Sequence, residues 1–190
     1  MAKLYFRYGT MNCGKSIALI QVAHNYEENN KNVYVLKSGI DTKGENYIES
    51  RIGLKRKIDF YITDKVNLLN YFRSHITDCI LVDESQFLSK EQVNQLWNIT
   101  KILNIPVICY GLRTDFKGNL FEGSSELFSK ADEIDELYTI CSCGKRAKFN
   151  GRFVNNAFMQ FGEQVVIDGK LTVKYVPLCG SCFLKYRNGN

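Results

Sequence analysis

Residues 9–16 constrain this chain more than any other stretch. They match the spacing G-x-x-x-x-G-K-[ST] as Gly9-Thr10-Met11-Asn12-Cys13-Gly14-Lys15-Ser16. Residues 3–8 are typical of a β-strand, and the residues from Ser16 onward favour a helix. A glycine-rich loop in that position turns its backbone N–H groups toward phosphate oxygens at the positive end of the helix. The pattern predicts a nucleoside triphosphate site; a chance glycine-rich turn is the alternative.

The rest of the first 140 residues alternates between strand and helix patterns. After the first helix, at about 15–29, the patterns indicate strands at 32–37, 58–62, 78–83, 107–110 and 134–140 and helices at 66–76, 89–103 and 123–131. Alternation of this kind predicts an α/β fold, a parallel sheet with helices on both faces. Residues 38–57 are polar, basic and aperiodic, which is typical of a long functional or mobile loop.

An acidic pair, Asp83-Glu84, follows an apolar strand pattern. The carboxyl ends of parallel strands line the ligand crevice of an open α/β sheet. Asp83 is therefore expected to hold Mg²⁺ and Glu84 to face the transferred phosphate, with Lys15 on the β- and γ-phosphates and Ser16 on Mg²⁺. Glu84 could orient water in an ATPase or accept a hydroxyl proton in a kinase. Surface charge that closes a strand is the alternative.

Four of the seven cysteines form two close pairs near the end of the chain. Cys141 and Cys143 form a C-x-C pair, and Cys179 and Cys182 form a C-x-x-C pair. Close pairs of this kind predict a structural zinc site with four thiolates. Two disulfides are the alternative, although a phosphate-loop protein of the cytosol makes them unfavourable. The pairs place a domain boundary near residue 140, with a nucleotide-binding domain at 1–140 and a zinc-binding domain at 141–190.

The segment between the cysteine pairs alternates polar and apolar residues from 158 to 169, with glycines at both bends. A loop anchored at both ends by one metal could act as a lid that excludes water from a phosphotransferase site. A zinc-stabilised β-hairpin without a catalytic part is the alternative.

The composition fits a folded protein that binds phosphates. Hydrophobic residues make up 45% of the chain, and the formal net charge is +5. The positive charge suits phosphate-bearing ligands or a weak affinity for nucleic acid and does not choose between them. The basic run at 55–57 lacks interleaved aromatic residues, which argues against a nucleic-acid partner. Arg51, Arg113 and Arg152 lie in predicted loops, and any of them could neutralise phosphate charge.

Neither a signal pattern nor a membrane-length apolar run is present, so we expect a cytoplasmic protein without a membrane partner. Cys13, inside the phosphate loop, points to the same reducing compartment.

In order and spacing, these motifs resemble those of the cytosolic, zinc-containing (type II) thymidine kinases, and the C-x-C pair resembles a bacterial branch. The resemblance runs from Leu4 to about Tyr186. It rests on the phosphate loop at 9–16, Asp41-Thr42, the stretch 83–87, Tyr110-Gly111-Leu112 followed by Phe116, the two cysteine pairs, and Tyr175 four residues before Cys179.

The resemblance implies a RecA-like core, a zinc domain with a lasso loop over the nucleoside, and transfer of the γ-phosphate of ATP to the 5′-hydroxyl of thymidine. It implies that Glu84 is the general base. ATP contacts are implied for Gly9, Thr10, Met11, Asn12, Cys13, Gly14, Lys15, Ser16, Asp83 and Gln86. Nucleoside contacts are implied for Met11, Asp41, Phe87, Leu112, Phe116, Val166 and Tyr175. The implied cofactors are ATP, Mg²⁺ and structural Zn²⁺.

The resemblance further implies a homotetramer inhibited by thymidine triphosphate. One departure concerns the phosphate site: the family usually has Arg after Asp41-Thr42, and Lys43 stands here. A lysine is a point charge without the bidentate fork of arginine. Two other functions remain open from the residues alone. One is a DNA-dependent ATPase with a zinc ribbon, and the other is a non-enzymatic zinc module that binds nucleotide as a regulator.

Overall fold

The computed structural model describes residues 1–39, 46–164 and 173–189, and its main feature is a six-stranded parallel sheet. The strands are β1 (Leu4–Gly9), β2 (Val33–Ser38), β5 (Phe60–Ile62), β6 (Cys79–Asp83), β7 (Val107–Leu112) and β8 (Glu133–Glu136). Their order across the sheet is β5-β2-β6-β7-β1-β8. Central strands buried on both faces are near-continuous apolar runs, as in Cys79–Asp83, where every residue is buried.

Helices cover both faces of this sheet, as the alternation predicts. On one face lie α2 (Leu68–Arg73), α3 (Lys90–Asn98) and α4 (Glu122–Lys130), and α1 (Lys15–Glu28) lies on the other. Strand β6 contributes side chains to two hydrophobic cores, one on each face of the sheet. Ile80 packs in the core with α2 and α3, whereas its neighbour Leu81 packs in the core with α1. The predicted α/β class is confirmed.

The loop prediction for residues 38–57 is wrong in its second half. Tyr47–Glu49 (β3) and Lys55–Lys57 (β4) pair antiparallel in a separate two-stranded hairpin. Ile48 of this hairpin is buried against the α1 side of the core, so one apolar residue in a polar stretch anchors the hairpin. Periodicity misses strands this short.

One further predicted helix ends where expected, and one predicted strand is shorter than expected. The helix from Ser89 continues through a π-helical turn, Ile99–Leu103, and so reaches Leu103 as expected. Ser89 begins it with a capping box, because its hydroxyl accepts from Gln92 N–H while the Gln92 side chain accepts from Ser89 N–H. The strand expected at 134–140 covers only Glu133–Glu136.

The remainder of the chain forms a small antiparallel sheet and a helix. The sheet has the order β10-β9-β11, with β9 at Phe149–Val154, β10 at Ala157–Phe158 and β11 at Val173–Leu178, and α5 follows at Gly180–Arg187. Residue 140 falls between the two sheets, and the domain boundary there stays a prediction. Among the helices of the three described ranges, none has the length and apolar character needed to cross a membrane.

Candidate active site

The phosphate loop connects β1 to α1, as its sequence predicts. β1 ends at Gly9, and α1 begins at Lys15 directly after Gly14, whose φ of 85° lies in the left-handed region. A side chain at Gly9 would collide with the backbone carbonyl of Leu137, so this position requires glycine because two backbones meet there. The turn therefore places the N-terminus of α1 at the end of β1, where its N–H groups can face an anion.

The Lys15 ammonium folds back onto its own loop. Its Nζ atom donates to the backbone oxygen of Thr10 at 2.7 Å and lies 3.6 Å from Cys13 Sγ. A carbonyl acceptor is a weaker partner for an ammonium group than a phosphate oxygen. The side chain can therefore exchange the Thr10 contact for a phosphate.

Asp83 ends β6 as a buried carboxyl group. Burial, followed by the neighbouring Glu84 carboxylate, raises the pKa of Asp83 to about 7. Lys37, which is also buried, is paired with Asp83 on the neighbouring strand β2. The positive charge of Lys37 opposes the rise in the pKa of Asp83. A divalent cation would favour the ionised form, so the donor set fits Mg²⁺. Sequence patterns did not single out Lys37, because a lysine inside a strand pattern is usually at the surface.

Glu84 is held in an unusual backbone conformation at the end of the same strand. Its φ is 50° and its ψ is 37°, which is the left-handed region. The Gln86 side chain donates from Nε2 to Glu84 Oε2 and accepts at Oε1 from Leu112 N–H at 2.9 Å. Strain of this kind occurs at functional sites and persists only where the surroundings enforce it. The Gln86 amide holds the side chain of this strained residue.

One cavity, of about 370 Å³, is lined both by the phosphate loop and by Glu84, the predicted general base. Lys15, Ser16 and Glu84 line it, together with the predicted nucleoside residues Met11 and Leu112. Arg51, in the turn of the β3–β4 hairpin, closes another side. The arrangement can hold a triphosphate at the loop and a hydroxyl group at Glu84.

The other predicted nucleoside residues lie outside this cavity. Phe87 packs edge-on against Phe121, with ring centroids 5.5 Å apart, and lines a neighbouring cavity of about 470 Å³. Phe116 is buried beneath the guanidinium of Arg152. Tyr175 is half-buried on β11, in register with Arg152 of β9. The predicted contacts Asp41 and Val166, and the departure at Lys43, lie outside the described residues.

The three candidate arginines have different surroundings in the structure. Arg113 donates to the backbone oxygen of Lys148 and lies over the Phe149 ring. Arg152, expected in a loop, belongs to β9 and is 3% exposed. Arg51 alone of the three lines the cavity that contains Lys15 and Glu84. The geometry therefore favours Arg51 over the other two as a phosphate partner.

Four cysteine thiols converge as the predicted zinc ligands. The sulfur atoms of Cys141, Cys143, Cys179 and Cys182 all lie within 4.8 Å of one another. Although burial opposes it, backbone N–H donors of Cys143 and Cys179 help to lower the pKa of Cys141 to about 6. Four converging sulfurs, one of them readily ionised, fit a tetrahedral zinc site without an open position. Cys79 and Cys109 are buried in strands, as expected.

Sequence reasoning missed Asn150, which joins the small sheet to the phosphate loop. This buried residue of β9 accepts at Oδ1 from the backbone N–H of Met11, at 2.8 Å. The signal available in the sequence was weak: a polar residue between the apolar residues of a short stretch, Phe149–Val154.

Comparison with known proteins gives one consistent family. A family model described as thymidine kinase matches residues 2–183. A thymidine kinase of Mannheimia succiniciproducens is 45% identical over 185 residues, covering 94% of this chain and 93% of that protein. Thymidine kinases of Francisella tularensis subsp. tularensis (44% over 188 residues, covering 94% and 95%) and Lactiplantibacillus plantarum (46% over 183 residues, covering 94% and 94%) are similar to the same extent.

Among solved structures, the Pif1 helicase of Candida albicans aligns with 72% of this chain and 36% of its own, at a TM-score of 0.40 and 16% identity. A similarity this low does not bear on function.

Proposed function

The chain belongs to the thymidine kinase family, and we propose that it transfers the γ-phosphate of ATP to the 5′-hydroxyl of thymidine, giving thymidine monophosphate. The observation that supports this most directly is the shared cavity of Lys15, Ser16 and Glu84. A phosphate loop and a carboxylate base around one space suit transfer to a bound hydroxyl. The physiological role would be salvage of pyrimidine deoxynucleosides for DNA synthesis.

Glu84 is the general base in this proposal. ATP occupies residues 9–16, with the backbone N–H groups and Lys15 holding the β- and γ-phosphates. Glu84 accepts the proton of the 5′-hydroxyl as that oxygen attacks the γ-phosphorus, and ADP leaves. The hydrogen bond from Gln86 orients the Glu84 carboxylate and leaves its other oxygen for the substrate.

Mg²⁺ would supply positive charge that offsets the negative charge of the triphosphate. Ser16 would hold it through its hydroxyl and Asp83 directly or through water, and Lys37 would balance the buried carboxylate charge. Arg51 would add a cation at the γ-phosphate, opposite the loop.

The nucleoside lies, in this proposal, between the phosphate loop and the small sheet. Met11 and Leu112 form the wall nearest the reacting hydroxyl, and Phe87, Phe116 and Tyr175 are the proposed aromatic residues of the base pocket. Asp41 and the lasso residues near Val166 complete the set by resemblance to the family. The four cysteines would hold a structural Zn²⁺, which would tie together the two segments on either side of the lasso.

Three further properties follow from the family resemblance rather than from the geometry. We propose a homotetramer, feedback inhibition by thymidine triphosphate, and a cytoplasmic location. A site that binds a nucleoside next to a triphosphate could also bind a single molecule that has both parts. A nucleoside triphosphate would then act as an inhibitor. The zinc thiolates require a reducing compartment, which agrees with the cytoplasm.

The test is transfer of radiolabelled γ-phosphate from ATP to thymidine, deoxycytidine or adenosine, offered separately. We expect label only in thymidine monophosphate. Glu84→Gln keeps the shape of the side chain but cannot accept the proton, so kcat should fall about 100-fold or more while thymidine still binds. Glu91→Gln, an exposed residue in the first turn of α3, is the matched control and should leave kcat unchanged.

Label released only as free phosphate, stimulated by DNA and indifferent to nucleoside, would contradict the kinase and favour the ATPase. ATP binding without turnover of any substrate would favour the regulatory module.

A further inference from the structure

The β3–β4 hairpin forms one wall of the cavity that contains the phosphate loop. Its residues Ser50, Arg51 and Ile52 line this cavity together with Lys15 and Glu84. The two strands of the hairpin have three residues each and form a sheet of their own. A two-stranded hairpin is at best marginally stable in water when nothing supports it. The position of its turn therefore depends on the contacts that hold the hairpin to the rest of the molecule.

The turn itself is closed by hydrogen bonds to Ser50. Ser50 N–H donates to the backbone oxygen of Leu54 at 2.8 Å, and Leu54 N–H donates to the Ser50 hydroxyl at 2.9 Å. Gly53 N–H donates to the backbone oxygen of Ser50 at 3.0 Å. Ser50 is 4% exposed, so these bonds are shielded from water. Arg51 and Ile52 therefore move with the two strands rather than as a free loop.

The first anchor of the hairpin is apolar. Ile48, in the middle of β3, is 2% exposed and packs in the same hydrophobic core as Leu19 and Ala23 of α1. Its neighbours on the strand, Tyr47 and Glu49, are exposed. Burial of an aliphatic side chain is favourable in proportion to the apolar area removed from water. One side chain of β3 therefore attaches this strand to the helix that follows the phosphate loop.

The second anchor is an ion pair between β4 and α1. Arg56 donates from Nε to Glu27 Oε1 at 3.0 Å, and its Nη2 atom lies 2.8 Å from the same oxygen. The Arg56 side chain is 22% exposed, and the Asp59 carboxylate lies 3.9 Å from Nη2. Arg56 also donates to the backbone oxygen of Lys57. Two donors of one planar guanidinium fix its direction as well as its distance from the carboxylate, so Arg56 sets the angle of the hairpin on α1.

We propose that Ile48 and Arg56 are positioning residues, which dock the β3–β4 hairpin on α1 and so hold Arg51 at the phosphate loop, where its guanidinium distinguishes a nucleoside triphosphate from a diphosphate. Ile48 and Arg56 are paired in register, so both anchors lie on one face of the hairpin. Because α1 begins at Lys15, docking of the hairpin on this helix also sets the distance between Lys15 and Arg51. The inference rests on the proposed function, from which it takes Arg51 as the cation at the γ-phosphate.

The test compares the affinities of a non-hydrolysable ATP analogue and of ADP, each with Mg²⁺, by titration calorimetry. The ratio of the two dissociation constants measures what the γ-phosphate adds to binding, whereas a general loosening of the fold changes both constants alike. In the unmodified protein we expect the analogue to bind about tenfold or more tighter than ADP. Arg51→Met removes the cation and should lower this ratio about tenfold.

Loss of either anchor should reproduce part of this effect. Arg56→Met keeps the aliphatic part of the side chain without its donors, and Ile48→Ala removes most of the buried side chain. Each change displaces Arg51 and should lower the ratio about threefold or more. In double variants with Arg51→Met the ratio should fall no further than in Arg51→Met alone, because both anchors act through Arg51. The kcat for transfer to thymidine should fall in the same order, whereas KM for thymidine should stay unchanged.

Adjacent residues on both elements provide matched controls. Glu27→Gln removes the charge that Arg56 contacts and should lower the ratio, whereas Glu28→Gln, exposed at the next position of α1, should leave it unchanged. Lys57→Met, exposed next to Arg56 on β4, is the control on the hairpin and should also leave the ratio unchanged. Amide hydrogen exchange of residues 47–57 should be faster in Arg56→Met than in Lys57→Met.

An unchanged ratio in folded Arg56→Met and Ile48→Ala overturns the inference and leaves the kinase intact. A double variant with a ratio clearly below that of Arg51→Met alone also overturns it, because the anchors would then act without Arg51. Absence of label in thymidine monophosphate removes the proposed function, and the ratios, which need no nucleoside, still decide the inference.

Discussion

Gln86 joins two strand ends through both ends of its side-chain amide. The nitrogen donates to the carboxylate of Glu84, and the oxygen accepts from Leu112 N–H. An amide is suited to this task because it offers a donor and an acceptor in fixed geometry. The family resemblance gives Gln86 an ATP contact, and that role stays a prediction. In this structure both hydrogen bonds of the Gln86 side chain are to other residues of the protein, and they orient Glu84, the proposed general base.

Gln86→Leu should therefore lower kcat more than it raises KM for thymidine. The apolar side chain leaves the Glu84 carboxylate free to rotate, and a misplaced catalytic group can cost about 100-fold in rate. Leu112 N–H loses its acceptor, which should lower the free energy of unfolding by about 1–3 kcal/mol. Steady-state kinetics and urea unfolding measure the two effects.

Gln21→Leu, exposed on α1, is the matched control and should change neither quantity. Equal kcat values in folded Gln86→Leu and in the unmodified protein would show that Glu84 does not depend on Gln86.

An aspartate helps to hold the short edge strand β8 to its neighbour β1. Asp132, directly before the strand, accepts at Oδ2 from Leu4 N–H at 2.8 Å, and its own N–H donates to Leu4 O. The Lys101 ammonium lies 2.7 Å from the same carboxylate. Burial alone would raise the pKa of Asp132, but the Lys101 ammonium and the Leu4 N–H outweigh it and lower the pKa below its ordinary value.

A lowered pKa makes the contribution of Asp132 depend on pH. The folded protein binds this proton less readily than the unfolded chain does, so the carboxylate stabilises the fold above the unfolded pKa of about 3.9. The stabilisation is lost as the pH falls through the folded value. Asp132→Asn should therefore cost about 0.5–1.5 kcal/mol of unfolding free energy at pH 7, and the difference should shrink toward zero at about pH 2–3.

Urea unfolding at both pH values measures this difference. Asp135→Asn, on β8 with an exposed carboxylate 3.5 Å from Arg7, is the control and should change stability by less than about 0.5 kcal/mol. A cost for Asp132→Asn that is equal at both pH values would show that the charge contributes nothing.

At the scale of the whole molecule, the cysteine cluster brings together the two ends of the small antiparallel sheet. Its thiols come from two segments, and β9, β10 and β11 lie between them in the chain. The apolar support under the cluster is small, with Phe149 and Phe183 stacked at 4.6 Å as its main contact. A core of this size gains little stability from apolar burial alone, so the free energy of zinc binding, as proposed, would become free energy of folding.

Loss of zinc should therefore impair the nucleoside side of the site more than the phosphate side. For Cys143→Ser we expect less than one bound zinc per chain, early proteolysis after residue 140, and KM for thymidine raised about tenfold or more. The affinity for ATP should change less, because residues 9–16 belong to the larger sheet. Zinc analysis, limited proteolysis and steady-state kinetics measure these effects.

Ser181→Ala, exposed between Cys179 and Cys182, is the matched control and should keep its zinc. Equal losses of ATP and thymidine affinity in Cys143→Ser would indicate that the two parts of the chain fold as a single unit.

The sequence by itself determined the features that depend on near neighbours. The strand–loop–helix at the phosphate loop, the acidic end of β6 and the pairs of cysteines each arise from residues a few positions apart. Local patterns of this kind fix the backbone directly, because turn geometry, helix capping and side-chain alternation act over one or two turns. Even so, the sequence patterns did not predict the β3–β4 hairpin, because strands of three residues are too short to show a period.

Only the tertiary structure decided which distant residues meet. Asn150 and Met11 are 139 positions apart, and no local pattern pairs them. Lys37 lies beside Asp83 because β2 and β6 are neighbours in the sheet in one register, and Arg152 is buried because the lasso backbone and Phe116 cover it. Register and burial are set by the packing of the whole chain, so no pattern in the neighbourhood of these three polar residues could show their partners.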